Sequence, residues 1–195
     1  CQFFDALDGG FNGNLLYHGC VPLKEDGNLK SVRIFGRAYK GKGLYEVLES
    51  YVRKGFYAMD PKEKERGKDI MWYIWLSENS PLFGKDKMAT FERYFLAEKE
   101  THKEKKNPYY LLLEDEKVVE KILKEFGLEN EDAHIINGHV PVKCKDGENP
   151  VKCGGKVLVI DGGFSKAYQK ETGIAGYTLI YNSYGLILAA HKPFE

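Results

Sequence analysis

No apolar run in the sequence approaches the roughly 20 residues that a membrane-spanning helix requires, and no stretch joins a basic start to the apolar core of a signal peptide. A membrane-spanning helix within these residues is therefore excluded. Charge of one sign is also missing, because 29 Lys and Arg stand against 29 Asp and Glu. That balance argues against nucleic acid or an acidic surface as the main partner. Cysteine is scarce, with four among 195 residues. Cys1, Cys20, Cys144 and Cys153 form no Cys-x-x-Cys knuckle, so no zinc ribbon or finger is spelled out. A structural zinc held by His139, Cys144 and Cys153 is the reading that this spacing leaves open. In a cytosolic setting all four would remain thiols. There is no internal repeat and no low-complexity tract, and the length suits one domain with a real core.

Aromatic residues are plentiful, with 13 Tyr and 11 Phe, and they need partners to bury against. The pattern alternates between helices and strands. Residues 14–17 and 32–35 read as short strands. Leu44, Val47, Leu48, Tyr51 and Val52 recur at helical spacing, with Gly55 as a stop. Residues 61–69 read as a charged, solvated run, and 70–76 as a buried helix or strand. A loop is predicted over 79–87, a solvated charged face over 98–107, and a helix carrying Val118, Val119, Ile122, Leu123 and Phe126 with Gly127 as its cap. Strands are predicted over 134–137, 156–161, 177–182 and 185–190, the last two as a hairpin.

Two histidines share one local context. His18 follows Leu15-Leu-Tyr17 and precedes Gly19, and His139 follows Ile135-Ile-Asn-Gly138. A histidine at the end of a buried strand is held on rigid backbone, and the adjacent glycine lets the chain turn or a ligand approach. One such residue is more often a hydrogen-bonded structural histidine. Two, far apart in sequence, suit a metal site assembled from loop ends, since imidazole is the commonest metal ligand near neutral pH. His134 lies five residues before His139, which would turn it to the opposite face of a strand. His102 reads as exposed, and Cys20 as a small buried hydrophobe, although it neighbours His18.

Longer runs carry a resemblance. They include Asn14-Leu-Leu-Tyr-His-Gly-Cys-Val-Pro-Leu23, Lys68-Asp-Ile-Met-Trp-Tyr-Ile-Trp75, Ser80-Pro-Leu-Phe-Gly-Lys85 and Thr90-Phe-Glu-Arg-Tyr-Phe95. His134-Ile-Ile-Asn-Gly-His139, Asp161-Gly-Gly-Phe-Ser-Lys166 and Thr172-Gly-Ile-Ala-Gly176 continue the series. From about Asn12 onward the chain resembles the C-terminal part of the class III, calcineurin-like, manganese-dependent fructose-1,6-bisphosphatases, whereas Cys1 to Phe11 match poorly. The resemblance implies an α/β (α+β) fold, namely the C-terminal half of a calcineurin-like metallophosphoesterase two-sheet sandwich flanked by helices. Residues 1–195 would then be the C-terminal part of a single domain. Gly-Asp-x-x-Asp and Gly-Asn-His, which the superfamily uses for other ligands, do not occur here, so the resemblance places them in a missing N-terminal half. A first residue other than Met fits that expectation. Such a half would expose a sheet edge and a large apolar face.

By resemblance, His18 and His139 would both ligate one of two Mn2+ ions, and the reaction would be hydrolysis of a sugar bisphosphate at its 1-phosphate, in the cytoplasm. A homo-oligomer is left open. A second phosphate needs cations, and Lys85, Lys166 and Arg93 are the candidates, each of which could instead be a solubilising surface residue. Lys85 is not a P-loop lysine, because the required glycine spacing and following hydroxyl are missing. Asp161 ends an apolar run before Gly162-Gly163 and reads as a turn former. Two other readings stand beside this one. One is a phosphatase of the same superfamily with another phosphoester substrate, and the other is a non-catalytic binding module that kept two histidines.

Overall fold

Short β-branched and apolar runs bounded by polar turns become strands, and in the computed structural model, which describes residues 13–163 and 165–193, four of them build one sheet. These are β1 (Leu15–Tyr17), β4 (Ile135–Asn137), β6 (Val157–Val159) and β5 (Val151–Lys152), in the order β1-β4-β6-β5. β1, β4 and β6 run parallel and only β5 is antiparallel. β4 and β6 are buried along their whole length, as interior parallel strands must be. Two hairpins stand apart from this sheet. One joins β2 (Val32–Ile34) to β3 (Arg37–Tyr39), and the other joins β7 (Gly176–Asn182) to β8 (Gly185–His191). In the second, Asn182 pairs with Gly185, which leaves a two-residue loop. The fold is thus mixed α/β.

The crossover from β1 to β4 holds most of the helical structure. Helix α1 spans Gly41–Tyr57 and α2 spans Pro61–Leu76. The charged run read as solvated is the first half of α2, and it is mostly exposed as expected. Asp60 caps it by accepting from the Lys62 N–H at 3.2 Å, and Pro61 opens it with a preset φ. Gly55 does not stop α1. It lies where α1 and α2 touch, and a Cβ built on Gly67 would overlap the Gly55 backbone. A glycine that reads as a breaker in sequence is here a contact surface, because closely crossing helices have no room for side chains. Helix α3 (Thr90–Phe95), which the charged sequence around it obscured, is followed by α4 (Glu116–Glu125), capped by Asp115 and closed by Gly127 at φ +80 as expected. Helix α5 (Lys166–Thr172) was not predicted, since its seven residues carry too little apolar periodicity.

Two cores result. The larger gathers Leu15, Tyr17, Cys20, Tyr109, Ile122, Ile135, Val157 and their neighbours around the sheet and α4. Tyr17 and Tyr109 share a buried hydroxyl–hydroxyl bond of 2.7 Å there. The smaller core joins Val32, Ile34, Leu44, Leu48, Ile70 and Ile74 between the β2–β3 hairpin, α1 and α2. Residues 70–76 are therefore helical, but only Ile70 and Ile74 of that run are buried. Met71, Trp72 and Trp75 face outward, with Trp72 64% exposed and Trp75 61% exposed. Among the described residues nothing covers that face, and β1 has no partner strand on its outer side.

The helix crossing is directly testable. Gly67→Ala should destabilise the protein by about 1–3 kcal/mol, because α1 and α2 must move apart. Gly127→Ala, with no atom within 4 Å of its new Cβ, should cost only the left-handed backbone penalty of about 1–2 kcal/mol. Denaturant unfolding of both variants checks this, and a Gly67→Ala midpoint equal to wild type would contradict the close crossing.

Candidate metal centre and its cleft

Parallel pairing sets the site. Tyr17 lies opposite Asn137 in the β1–β4 register, and Asn137 lies opposite Val159 in the β4–β6 register. His18, Gly138-His139 and Asp161 therefore emerge together at the carboxyl ends of three neighbouring strands, which is where open α/β sheets bind ligands. Backbone bonds hold these ends together. The Gly138 N–H donates to the His18 carbonyl at 3.0 Å, and the Val142 N–H donates to the Asp161 carbonyl at 2.7 Å. The Asp161 carboxylate accepts from the Gly163 N–H at 2.9 Å, so the turn-forming role read from sequence is present.

The two imidazoles converge. His18 Nε2 stands 3.1 Å from His139 Nδ1, with the ring planes crossed at 68°. Two ring lone pairs cannot face each other at that distance without a proton or a cation between them. The same spacing suits adjacent ligands on one ion, since bonds of about 2.1 Å at roughly right angles place two nitrogens about 3 Å apart. His139 also holds a left-handed backbone, φ +69, which is uncommon outside glycine and marks a position fixed by its surroundings. Burial and the neighbouring His18 both push its imidazole toward the neutral form, while a backbone hydrogen bond at Phe83 acts the other way. Neutral imidazole is the form that ligates metal. Among the described residues no third His, Cys, Asp or Glu joins them to complete a metal-binding cluster.

The loop after α2 closes one side. The Cys20 N–H donates to the Pro81 carbonyl at 2.8 Å, and the Asn107 N–H donates to the Gly84 carbonyl at 2.8 Å. These bonds bring Phe83, Gly84 and Lys85 toward His139. Together they border a cleft of about 470 Å³ whose lining includes Lys85, Asn137, His139, Lys106, Lys143 and Lys152. Lys85 is tied to Glu104 at 2.7 Å, and Arg93 reaches the same carboxylate at 3.5 Å. Although burial alone would raise the Glu104 carboxyl, the bonds from Lys85 and the Ala89 N–H hold it below its usual range. Arg93 does not line the cleft. Lys166 is exposed at the start of α5, outside the lining. The lysines at 106, 143 and 152 escaped the sequence reading, because a lysine in a charged run or a loop looks like solvated surface, and 106 and 143 are indeed exposed while bordering the cleft. A second-row signal was available in Asn137, a polar residue inside an otherwise apolar strand.

Comparison with known proteins decides the family. The Firmicute fructose-1,6-bisphosphatase family matches residues 8–195. The chain belongs to that family. It is 60% identical over 186 residues to a class 3 fructose-1,6-bisphosphatase of Clostridium botulinum (strain Hall), covering 95% of this chain and 28% of that protein. Against the corresponding protein of Clostridium beijerinckii, named class 3 1, identity is 58% over 185 residues, with the same coverage. The chain thus spans 28% of the length of these curated relatives. The family match also takes in residues from 8 onward, several earlier than the sequence runs suggested. No solved structure matches.

The other singled-out residues fall elsewhere. His134 bonds Asn14 Oδ1 through Nδ1 at 3.0 Å, His102 bonds the Leu96 carbonyl at 3.0 Å, and His191 meets Thr178 Oγ1 at 2.7 Å. His139, Cys144 and Cys153 are not assembled into a zinc cluster among the described residues, and Cys144 instead pairs with the Tyr177 hydroxyl at 2.7 Å. Cys1 lies outside the described residues. Cys20 is fully buried, which pushes its thiol up to about 12. Iodoacetamide at pH 8 should therefore leave Cys20 unmodified in the native protein and alkylate it only after unfolding. Peptide mass spectrometry reads this, and rapid native labelling of Cys20 would contradict its burial.

Proposed function

We propose that the protein carrying this chain is a fructose-1,6-bisphosphatase that releases the 1-phosphate of fructose 1,6-bisphosphate, with these residues forming the C-terminal half of its calcineurin-like two-sheet sandwich. The observation that carries the reading is the convergence of His18 and His139 at 3.1 Å on the ends of adjacent parallel strands, in a chain 60% identical to proteins named for that activity. The remaining metal ligands lie, on this reading, in the part of the polypeptide outside these residues, and that part packs on the outward apolar face of α2. The setting is the bacterial cytoplasm, and the other phosphoester substrates and the non-catalytic module have no specific observation in their favour.

His18 and His139 would hold one divalent cation, Mn2+ on the resemblance. When bound, divalent ions supply Lewis-acid stabilisation of phosphoryl oxygens and a water acidic enough to serve as nucleophile near neutral pH. The chain's own residues do the rest. The β1–β4 register and the Gly138–His18 backbone bond fix both imidazoles before substrate arrives, so no reorganisation is needed at the moment of reaction. Lys85 places an ammonium in the same cleft as His139, where it counters phosphoryl charge, and Glu104 holds that ammonium in position. Arg93 contributes through the same carboxylate. Lys166 would reach substrate only by a contact that the described residues do not make.

In the full-length enzyme, His139→Ala should lower phosphate release from fructose 1,6-bisphosphate by at least about 100-fold, as loss of a metal ligand does. His102→Ala should change it little. A phosphate-release assay with both variants decides this, and a near-normal rate for His139→Ala would remove that residue from the centre.

A further inference from the structure

The cleft has cations and a buried acceptor that the metal centre does not use. Four lysines line the cleft, and two of them are already matched, Lys85 by Glu104 at 2.7 Å and Lys152 by Glu148 at 3.1 Å. Lys106 and Lys143 line the same space and form no ion pair among the described residues. Lys106 lies over the Tyr110 ring at 6.0 Å and also acts on Glu148, and four lining lysines stand against the three lining carboxylates, Glu104, Glu148 and Glu171. The excess charge of the lining is positive, in a space able to hold a small ligand.

Asn137 supplies the second observation. Its side chain is 2% exposed, and its Nδ2 donates to the Gly19 carbonyl at 3.3 Å. That bond sets the amide orientation and leaves Oδ1 buried with no partner. An unmet buried acceptor costs free energy, and its natural complement is a hydroxyl or amine from a ligand. Asn137 sits in β4 just before Gly138-His139 and lines the same cleft as the lysines. Lys143 follows His139 by four residues of irregular backbone, a span that reaches up to about 13 Å.

We propose that Lys106 and Lys143 bind the phosphate that is not hydrolysed, and that Asn137 Oδ1 accepts a hydrogen bond from a hydroxyl of the sugar between the two phosphates. This rests on the reading of the site as a sugar-bisphosphate phosphatase, and it replaces Arg93 and Lys166 as holders of the second phosphate.

The test uses the full-length, Mn2+-loaded enzyme with two substrates, fructose 1,6-bisphosphate and para-nitrophenyl phosphate, which has neither second phosphate nor sugar hydroxyl. The double variant Lys106→Gln, Lys143→Gln should reduce the ratio of the two kcat/KM values by at least about 10-fold, with the loss in KM for the bisphosphate, as removal of charge-assisted bonds to a bound phosphate predicts. Asn137→Ser should reduce the same ratio several-fold. A ratio retained in the double variant would overturn the assignment. If the wild-type enzyme does not hydrolyse the bisphosphate at all, the functional reading fails separately. Titration calorimetry with inorganic phosphate on metal-free protein then scores the lysine site, where weaker binding in the double variant supports it and unchanged binding refutes it.

Discussion

Everything at the candidate centre depends on the parallel pairing of β1 with β4. The two strands are three residues each and lie about 120 positions apart in sequence, yet Leu15, Leu16 and Tyr17 sit opposite Ile135, Ile136 and Asn137. Had the register slipped by one residue, every side chain of β4 would change face, and His139 would leave His18. The core enforces the register. Leu15 and Ile135 are wholly buried, Tyr17 is anchored by Tyr109, and the Leu15 N–H donates to the His134 carbonyl at 2.8 Å. Burying side chains of this size is worth about 1.5–3 kcal/mol each, ample to hold one registration against its neighbours.

From that constraint the rest follows outward. The strand ends present His18 and His139, and the turn at Asp161 ties down the loop that carries His139. The Pro81–Lys85 loop, bonded to Cys20 and Asn107, closes the cleft from the other side. Glu104 links Lys85, Arg93 and the start of α3 into one charged brace. The second core, between α1 and α2, has a different task. It fixes a helical layer whose inner stripe is Ile70 and Ile74, while Met71, Trp72 and Trp75 face outward as an exposed apolar surface.

What was legible in the sequence was local. Strand ends followed by His-Gly or Gly-His, the apolar stripe from Val118 to Phe126, and the β7–β8 hairpin are written in a few adjacent residues. What was not legible depends on partners. Gly55 reads as a helix stop, but the close approach of Gly67 makes it a contact. Residues 70–76 read as buried all round, but α1 can cover only one face. Lys106 lies in the run read as a solvated face and is exposed, but only the fold shows that it borders the same cleft as His139. Lys166, chosen because it follows Gly-Gly-Phe-Ser, begins a short helix on which it is exposed. In each case the deciding neighbour is remote in sequence.

The central claim is that His18 and His139 share one cation. Pulsed electron paramagnetic resonance of Mn2+ bound to the full-length enzyme tests it without relying on turnover, because nitrogen modulation reports each directly bonded imidazole. The account predicts imidazole nitrogen couplings in the wild-type protein, reduced by one ligand in His18→Ala and by one in His139→Ala. Couplings that survive unchanged in either variant would contradict it.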